Sequence, residues 1–384
     1  GVSALLDNAF SGCSQLKTFE IAGDGSLGNI GQSAFSNAGA LQSVSIPASV
    51  TNIGSSAFWS CSSLRSVVFR QGEAPMIGGN AFDYVPADAT FYNYEGATGY
   101  DVTAYPWNSF SLKTLMADGT VGISGAINAS ETWNAGVPYQ ILAPTRVRGS
   151  STVLTINAGV EVRFADGASL AVENGAAVKA LGERDNPVLF TSSAETKAAG
   201  DWGYVGGSSG RVDLRYCTVE YGGGNPDMGA VHGNGAYITL YGTTVQNAEN
   251  GAIGGHGIYA TNCVLRASGS GIGTGPWRLD VVNSVIDACG VAVEGSNRNV
   301  YNTIIADCES FGADGTFDHC LFDGECSYTT ASYNRHNIAG DPKFLVDTFY
   351  RIAADSPAVD AGSGRYAPET DYFGSARMAS TNVV

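Results

Sequence analysis

SSAFWSCSSLRSVVF, the stretch at residues 55–69, joins an Ala-Phe pair to an alternating tail of Leu, Val and Phe. The same Ala-Phe pair recurs at steps of 25, 23 and 24 residues, ending at Phe10, Phe35, Phe58 and Phe82. A catalytic motif usually occurs once in a chain, whereas an architectural unit recurs at a nearly fixed period. The stretch is therefore interpreted as one copy of a structural repeat and not as a chemical site.

Each copy carries the same apolar positions after its Ala-Phe pair. The sixth residue beyond the pair is Leu in the first three copies: Leu16, Leu41 and Leu64. The alternating apolar residues that follow it are typical of a short strand, and a later Ile-Gly pair marks a second turn. One unit of this size cannot bury its own apolar face, so the copies are predicted to stack as a solenoid.

Three stretches of this half resemble a known family: AFSGCSQLKTFEI, IPASVTNIGSSAFWSCSSLRSVVF and IGGNAF. They are similar to the BspA-type leucine-rich repeats of bacterial surface proteins. The resemblance implies a leucine-rich repeat array over residues 1–112, closed by an aromatic-rich cap formed by Tyr92, Tyr100, Trp107 and Phe110. Cys13 and Cys61, at equivalent positions, are predicted to be small core side chains and not a metal or thiol site. Residues 113–130 are predicted to be a linker.

A different repeat occupies residues 131–384. Apolar marker residues recur at steps of 26, 20, 21, 19 and 17: Val219, Val245, Leu265, Ile286, Ile305 and Phe322. Steps near 20 fit one rung of a parallel β-helix, whose equivalent residues stack inside the coil. Asn262, Asn283 and Asn302 are predicted to form a hydrogen-bonded ladder at a turn. The residue after this asparagine position is Cys, Ser or Thr in six rungs: Cys217, Thr243, Cys263, Ser284, Thr303 and Cys320. Because these three residue types share a small side chain, the position is predicted to require small size and not thiol chemistry.

The stretches TWNAGVPYQI, LTINAGVEVRF and LRYCTVEYGGG resemble the opening rungs of right-handed parallel β-helix proteins related to pectate lyases. DPKFLVDTFYRIAADSPAVDAG, which begins at residue 341, is similar to the C-terminal segment of that group. The resemblance implies a β-helix with a C-terminal capping segment. It implies no activity, because the same coil serves enzymes, adhesins and inert spacers.

Composition supports a mainly β fold of two solenoids. Gly makes up 51 of the 384 residues, well above the usual ~7%, which suits turn-dense β structure. The net charge of −16 would repel a phosphate backbone, so no nucleic-acid partner is predicted. No run of about 18 apolar residues is present, so no transmembrane segment is predicted. The chain opens in mid-repeat, and we interpret it as part of a longer exported polypeptide with an extracellular or cell-surface location.

The leading functional hypothesis is a bacterial binding or adhesion protein that presents solenoid faces to glycans or to host proteins. Sugars stack on exposed aromatic rings, and aromatic residues recur along the second half. Tyr204, Tyr216 and Tyr237 belong to this series, and the candidates chosen from it for glycan binding are Trp202, Tyr221, Tyr241, Tyr259 and Trp277. A third hypothesis is that the chain is a structural spacer that binds no ligand.

The alternative is a polysaccharide lyase or glycoside hydrolase with the leucine-rich repeats as an accessory module. Such an enzyme needs two carboxylates, or an arginine with a carboxylate, converging on one cleft. The residues considered for this role are Asp227, His232, His256, Arg278, Asp280 and Glu294. The paired-Asp motif of related hydrolases is missing, so no catalytic residue is predicted. No cofactor or metal site is predicted, and calcium, the one ion considered, lacks a recognisable loop motif.

Overall fold

The computed structural model describes residues 2–19, 26–87, 89–117, 119–135, 138–226, 228–273, 278–323, 333–345 and 350–371. The chain forms two compact units, Gly1–Ser130 and Glu131–Val384. Both are built from short β-strands joined by turns, and the described residues contain no helix. No helix long and apolar enough to cross a membrane is therefore found among them. The prediction of a mainly β chain made of two solenoids is confirmed.

The described residues of the first unit form ten strands: β1 Ala4–Leu5, β2 Thr18–Phe19, β3 Asn29–Ile30, β4 Ser43–Ile46, β5 Asn52–Ile53, β6 Ser66–Phe69, β7 Met76–Ile77, β8 Thr90–Tyr94, β9 Ser111–Leu115 and β10 Val121–Ile127. Strands β1, β3, β5 and β7 form one parallel sheet. A second sheet runs from β2 through β4, β6 and β8 to β9, all parallel. Each repeat thus contributes one strand to each sheet.

The Ala-Phe pairs hold successive repeats together. The rings of Phe10, Phe35, Phe58 and Phe82 lie nearly parallel, with centroids 5.2, 5.1 and 5.1 Å apart. The backbone N–H groups of Phe10, Phe35 and Phe58 each donate to the carbonyl of the Ala in the next Ala-Phe pair, at 2.7 Å in all three cases. The stacked rings and the backbone hydrogen bonds therefore recur once per repeat, as the Ala-Phe pairs do in the sequence.

The Ile-Gly turns bring neighbouring backbones into close contact. A Cβ placed on Gly54 would lie 2.6 Å from the backbone nitrogen of Gln32. This separation is shorter than any van der Waals contact, so the position admits only glycine at the observed spacing. The glycine of the pair is thus selected by the distance between repeats.

The end of the first unit closes with aromatic side chains. Trp107 and Phe110 are buried in the core, and the Tyr100 ring packs against Trp107 at 4.8 Å. Tyr92 was expected to join this cap but lies on the outer side of β8, because inward and outward positions alternate along the strand. Its neighbour Phe91 takes the inward position and stacks on Phe110 at 4.4 Å.

The segment predicted to be a linker, residues 113–130, contains regular structure. It includes most of β9 and all of β10, which pair as an antiparallel hairpin, with Val121 opposite Leu115. The division between the two units falls after Ser130.

The two equivalent cysteines of the first unit differ in accessibility, which gives a test of the packing. Cys61 is fully buried, and its burial raises the pKa of its thiol to about 12. At pH 8 roughly one such thiol in ten thousand is ionised, so it should not react. Cys13 is only half-buried. We expect iodoacetamide at pH 8 to alkylate Cys13 and to spare Cys61, as read by peptide mass mapping, with both modified in denaturant. Equal labelling in the native state would contradict the packing described here.

The second unit contains strands β11 to β33: β11 Glu131–Trp133, β12 Tyr139–Arg148, β13 Val153–Asn157, β14 Glu161–Phe164, β15 Leu170–Glu173, β16 Ala177–Leu181, β17 Val188–Ser192, β18 Val205–Gly207, β19 Arg211–Arg215, β20 Cys217–Glu220, β21 Val231–Tyr241, β22 Thr244–Gln246, β23 Ile253–Thr261, β24 Val264–Arg266, β25 Ser270–Ile272, β26 Leu279–Val282, β27 Val285–Asp287, β28 Val291–Tyr301, β29 Ile304–Ala306, β30 Ser310–Asp318, β31 Leu321–Phe322, β32 Tyr333–Arg335 and β33 Ile338–Ala339.

These strands form three parallel sheets that the chain visits in turn. Sheet 1 contains β15, β18, β25 and the first parts of β21, β23, β28 and β30. Sheet 2 contains β11, β13, β16, β19, β26, β32 and the second parts of the same long strands. Sheet 3 runs from the start of β12 through β14, β17, β20, β22, β24, β27, β29 and β31 to β33. One circuit of the three sheets is one rung of a parallel β-helix.

The marker residues predicted to stack do so in register within sheet 3. Val219 pairs with Val245 and Val245 with Leu265, and the column continues through Ile286 and Ile305 to Phe322. All six are fully buried. The uneven steps in the sequence therefore reflect turns of different length around a constant core register.

The predicted asparagine ladder is present over two rungs. The amide of Asn283 donates to Oδ1 of Asn262 at 2.7 Å, and both residues adopt a left-handed backbone at the turn between sheets 2 and 3. Asn302 holds the same backbone conformation but bonds instead to the backbone of Ser363, which donates to it in return. The size-selected column beside them is buried, and Ser284 Oγ accepts the backbone N–H of Cys263 at 3.1 Å.

A C-terminal strap, residues 350–371, lies along the side of the coil. Ile352 and Ala358 pack on the apolar outer surface of sheet 3, which includes Ile304 and Leu321. Farther along, the hydroxyl of Thr370 lies 2.7 Å from that of Tyr241. The strap therefore runs back over several earlier rungs.

Candidate functional site

The outer surface of sheet 2 presents polar and aromatic side chains at alternating positions. Along β21, Ile238 and Leu240 are buried in the coil, whereas Tyr237 and Thr239 are exposed. This alternation follows from the two-residue period of a strand, in which successive side chains point to opposite faces. The strands stacked beside β21 carry the same pattern, so outward residues line up in columns across the rungs.

One column crosses the middle of this surface and connects five successive strands: Asp213, Thr239, Tyr259, Asp280 and Asn299. Neighbouring members lie about 4.8 Å apart in backbone position, which is the spacing of paired strands. Hydrogen bonds join them along the column, from Thr239 Oγ1 to Asp213 at 3.0 Å and from Asn299 Nδ2 to Asp280 at 2.6 Å.

Tyr237 and Arg278 lie beside this column, two residues before Thr239 and Asp280 respectively. On the strand between them, Gly257 comes directly before Ile258, at a bulge where the pairing of β21 with β23 shifts register. Gly257 has a left-handed backbone, and a Cβ placed on it would lie 2.8 Å from the carbonyl oxygen of Ala236, so the two strands approach closely there. Tyr259 lies in the column itself, between Thr239 and Asp280.

Arg278 and Asp280 form an ion pair on this surface. The guanidinium Nε donates to both carboxylate oxygens, at 3.0 and 2.9 Å, and Nη2 lies 2.8 Å from Oδ2. The hydrogen bonds to Asp280 and the attraction of its charge raise the pKa of Arg278 above its ordinary value. Asp280 is nearly buried while Arg278 is exposed. The carboxylate is therefore held fixed, and the outer edge of the guanidinium faces solvent.

We call Tyr237, Tyr259, Arg278, Asp280 and Asn299 the sheet-2 face. Its two tyrosines are 64% and 41% exposed, which leaves ring surface open to a ligand. Tyr237 was part of the aromatic series recognised in the sequence but was not chosen as a candidate. The sequence pattern could have identified it, since AYITLY places Tyr237 on the same side of one strand as Tyr241, which was a candidate.

The other aromatic candidates are placed differently. Trp202 is fully buried, with its ring stacked on Phe164 at 4.1 Å and its Nε1 donating to the carbonyl of Glu220. The prediction that it binds a glycan is therefore wrong, because its ring fills the core. Tyr241 is half-buried beneath the strap. Tyr221 is half-buried near the amine of Lys197, and Trp277 lies outside the described residues.

The residues considered for an enzyme divide between two sheets. Arg278 and Asp280 contact each other on sheet 2, whereas His232 lies on sheet 1 with its ring 5.9 Å from that of Tyr204. Glu294 lies three strands farther along sheet 1, about 14 Å from His232 at the usual strand spacing. His256 belongs to β23 opposite Asn234.

The side chain of His256 and all of Asp227 lie outside the described part of the chain. Among the candidates that are described, Arg278 and Asp280 are the pair that the fold brings into contact. This pair is the arginine-with-carboxylate alternative, and Asn299 donates a further hydrogen bond to the carboxylate of Asp280.

Comparison with known families agrees with both halves of the fold. A model of the BspA-type leucine-rich repeat region matches residues 1–94 in 6 copies. A model of the pectate-lyase-like β-helix domain matches residues 125–211. No curated protein and no solved structure matches the chain. The chain therefore combines a BspA-type leucine-rich repeat region with a pectate-lyase-like β-helix domain.

Proposed function

We propose that this chain is the ligand-binding part of a bacterial surface protein and that it binds neutral glycans on the sheet-2 face. The two matched domain types fit a surface or binding protein. BspA-type repeats typically occur in bacterial surface proteins, which supports an extracellular location.

The observation that carries the proposal is a pair of exposed rings beside a fixed ion pair. Tyr237 and Tyr259 leave ring surface open, and Asp280, which pairs with Tyr259 in register, is held by Arg278. Sugar rings have apolar C–H faces that pack on aromatic rings and hydroxyl groups that pair with fixed polar atoms. The sheet-2 face offers a pyranose ring both kinds of group.

The charge of the chain favours an uncharged ligand. It carries 36 acidic against 20 basic residues. A polyanionic glycan would therefore approach against a repulsive field, whereas a neutral polysaccharide meets none. Arg278, the cation of the sheet-2 face, is already paired with Asp280.

The test is binding of the purified chain to galactomannan, xylan, β-glucan and polygalacturonate by isothermal titration and affinity electrophoresis. We expect at least one of the three neutral polysaccharides to bind and polygalacturonate not to bind. Replacing both Tyr237 and Tyr259 with alanine should weaken binding by about tenfold or more, equivalent to ~1.4 kcal/mol.

Tyr94→Ala is the matched control, because Tyr94 is 45% exposed on a strand of the first unit. It should leave the affinity within about twofold of the parent chain. Undiminished binding by the double variant would overturn the placement of the site, and no binding to any neutral polysaccharide would overturn the glycan proposal. Release of reducing ends from any polysaccharide would instead favour the enzyme hypothesis.

A further inference from the structure

Two histidines continue the turn column that the asparagine ladder begins. Asn302 follows the sheet-2 strand β28 with a backbone φ of 48°. His319 follows β30 and His336 follows β32, each with a φ of 55°. Asparagine and histidine are both enriched in this left-handed conformation, so the turn accepts either residue, and here it brings ring nitrogens together at two successive rungs.

Both imidazoles converge on one carboxylate. Nδ1 of His319 lies 2.8 Å and Nδ1 of His336 lies 3.0 Å from the same oxygen, Oδ1 of Asp318. Asp318 is nearly buried at the end of β30. The three potential ligand atoms all lie within 4.8 Å of one another. The two rings stack with centroids 4.5 Å apart, so their nitrogens face the carboxylate from neighbouring rungs.

The two histidines share one oxygen atom of the carboxylate. Nδ1 of His336 is hydrogen-bonded to Oδ1 of Asp318, and Nδ1 of His319, which is shielded from solvent, lies 2.8 Å from the same atom. One carboxylate oxygen therefore serves both imidazoles. A cation bound among the three atoms would take a lone pair from each of them.

The remaining carboxylate oxygen already has its own partner. The hydroxyl of Tyr366, in the C-terminal strap, donates to Oδ2 of Asp318 at 3.1 Å. Metal-binding carboxylates are commonly oriented in this way by a hydrogen bond to the oxygen that does not bind the metal. The strap thus fixes the direction in which Oδ1 points.

Two imidazole nitrogens and one carboxylate oxygen are the donor set that zinc and related ions prefer. Tetrahedral zinc with bonds of about 2.0–2.1 Å separates its ligand atoms by about 3.3 Å. The present separations from Oδ1 of 2.8 and 3.0 Å are a few tenths of an ångström shorter. Small side-chain rotations would open the cluster to that size, with the fourth position left for water.

We propose that Asp318, His319 and His336 bind one divalent transition-metal ion, with zinc as the first choice. The ion joins two successive rungs of the coil at β30 and β32 and, through Tyr366, secures the strap to them. This site is separate from the sheet-2 face defined above, so its test does not depend on glycan binding.

The experiment uses the whole chain, stripped with EDTA and dialysed into metal-free buffer. Zinc is titrated by calorimetry, and cobalt is added separately so that its visible absorption reports the coordination. We expect one zinc per chain, a rise in the unfolding temperature with zinc, and cobalt bands typical of tetrahedral nitrogen and oxygen ligands.

His319→Asn and His336→Asn are the informative variants, because each restores the residue type found at this turn in three earlier rungs: Asn262, Asn283 and Asn302. Both should fold, bind zinc about 100-fold more weakly and lose the cobalt bands. His232→Asn, on sheet 1, is the control and should bind as the parent chain does. Equal zinc binding by the parent and the two variants, or no zinc uptake by the parent at millimolar concentration, would overturn the proposal.

Discussion

Replacing Phe58 with alanine should lower the free energy of unfolding of the first unit by about 3–5 kcal/mol, the usual cost of deleting a buried phenylalanine. Phe58 is fully buried, and its ring stacks between Phe35 and Phe82 at 5.1 Å on each side. In a solenoid each repeat is stabilised mainly by its neighbours, so the cavity removes contacts from two interfaces at once. The loss is a large fraction of a typical domain stability of 5–15 kcal/mol.

The measurement is native-state hydrogen exchange followed by mass spectrometry, which reports the two units separately. Protection should fall in peptides of residues 29–94 and remain unchanged beyond residue 131. Trp59→Ala is the matched control, since Trp59 is an adjacent ring that is only half-buried and meets Tyr84 edge-on. We expect it to cost less than ~1.5 kcal/mol. Equal effects of the two substitutions would mean that the stack of rings does not organise the repeats.

Arg298→Ala should be the most damaging substitution in the second unit, with a loss of about 3–5 kcal/mol. Arg298 is fully buried and lies in an otherwise aliphatic column, between Leu279 and Gly315. Its Nη2 donates to the carbonyl of Gly273 at 2.8 Å and its Nε to that of Glu294 at 3.0 Å. Alanine leaves a cavity and two carbonyls without their donors.

Two further substitutions separate the effect of the hydrogen bonds from that of the volume. Arg298→Lys keeps a charge and most of the length but lacks the planar fork that reaches two carbonyls, so we expect about half the loss. Arg211→Ala, at an exposed arginine of sheet 2, should change stability by less than ~0.5 kcal/mol. Chemical denaturation monitored by circular dichroism gives the comparison. A loss below 1 kcal/mol for Arg298→Ala would refute the structural role.

The fold was predictable because stacking repeats place the same residue type at the same point of every turn. The column from Val219 to Phe322 was identified in the sequence and is confirmed in register. Arg298 was not predictable in this way. Arg298 stands four residues before Asn302, as Leu279 stands four before Asn283, and the two pair in unbroken register. The repeat therefore predicts an inward aliphatic side chain at this position, and a buried charge there departs from the pattern.

The candidate sites were only partly accessible to sequence reasoning. Tyr259, Arg278 and Asp280 were identified, but the sequence does not reveal that they lie side by side on the outer surface of sheet 2. Trp202 was predicted at the surface but lies in the core, and the sequence does not separate the two because tryptophan is common both in cores and at binding surfaces.

The histidine cluster carried a signal that could have been read. Its residues continue the asparagine column at steps of 17, from Asn302 to His319 and then to His336. Their convergence on Asp318, however, depends on how two turns pack side by side, and periodicity alone does not supply that geometry.

The C-terminal strap changes how this coil should respond to pulling. Contacts between neighbouring rungs alone would let a stretched solenoid peel from its end, one rung after another, at low force. Here the bond between Tyr241 and Thr370 spans 129 residues, and that between Asn302 and Ser363 spans 61. A pulling force applied beyond residue 371 therefore acts first on the contacts of the strap. The final rungs can unfold only after those contacts have broken. In a protein held at a cell surface under flow, the strap would act as a mechanical latch that keeps the last rungs wound.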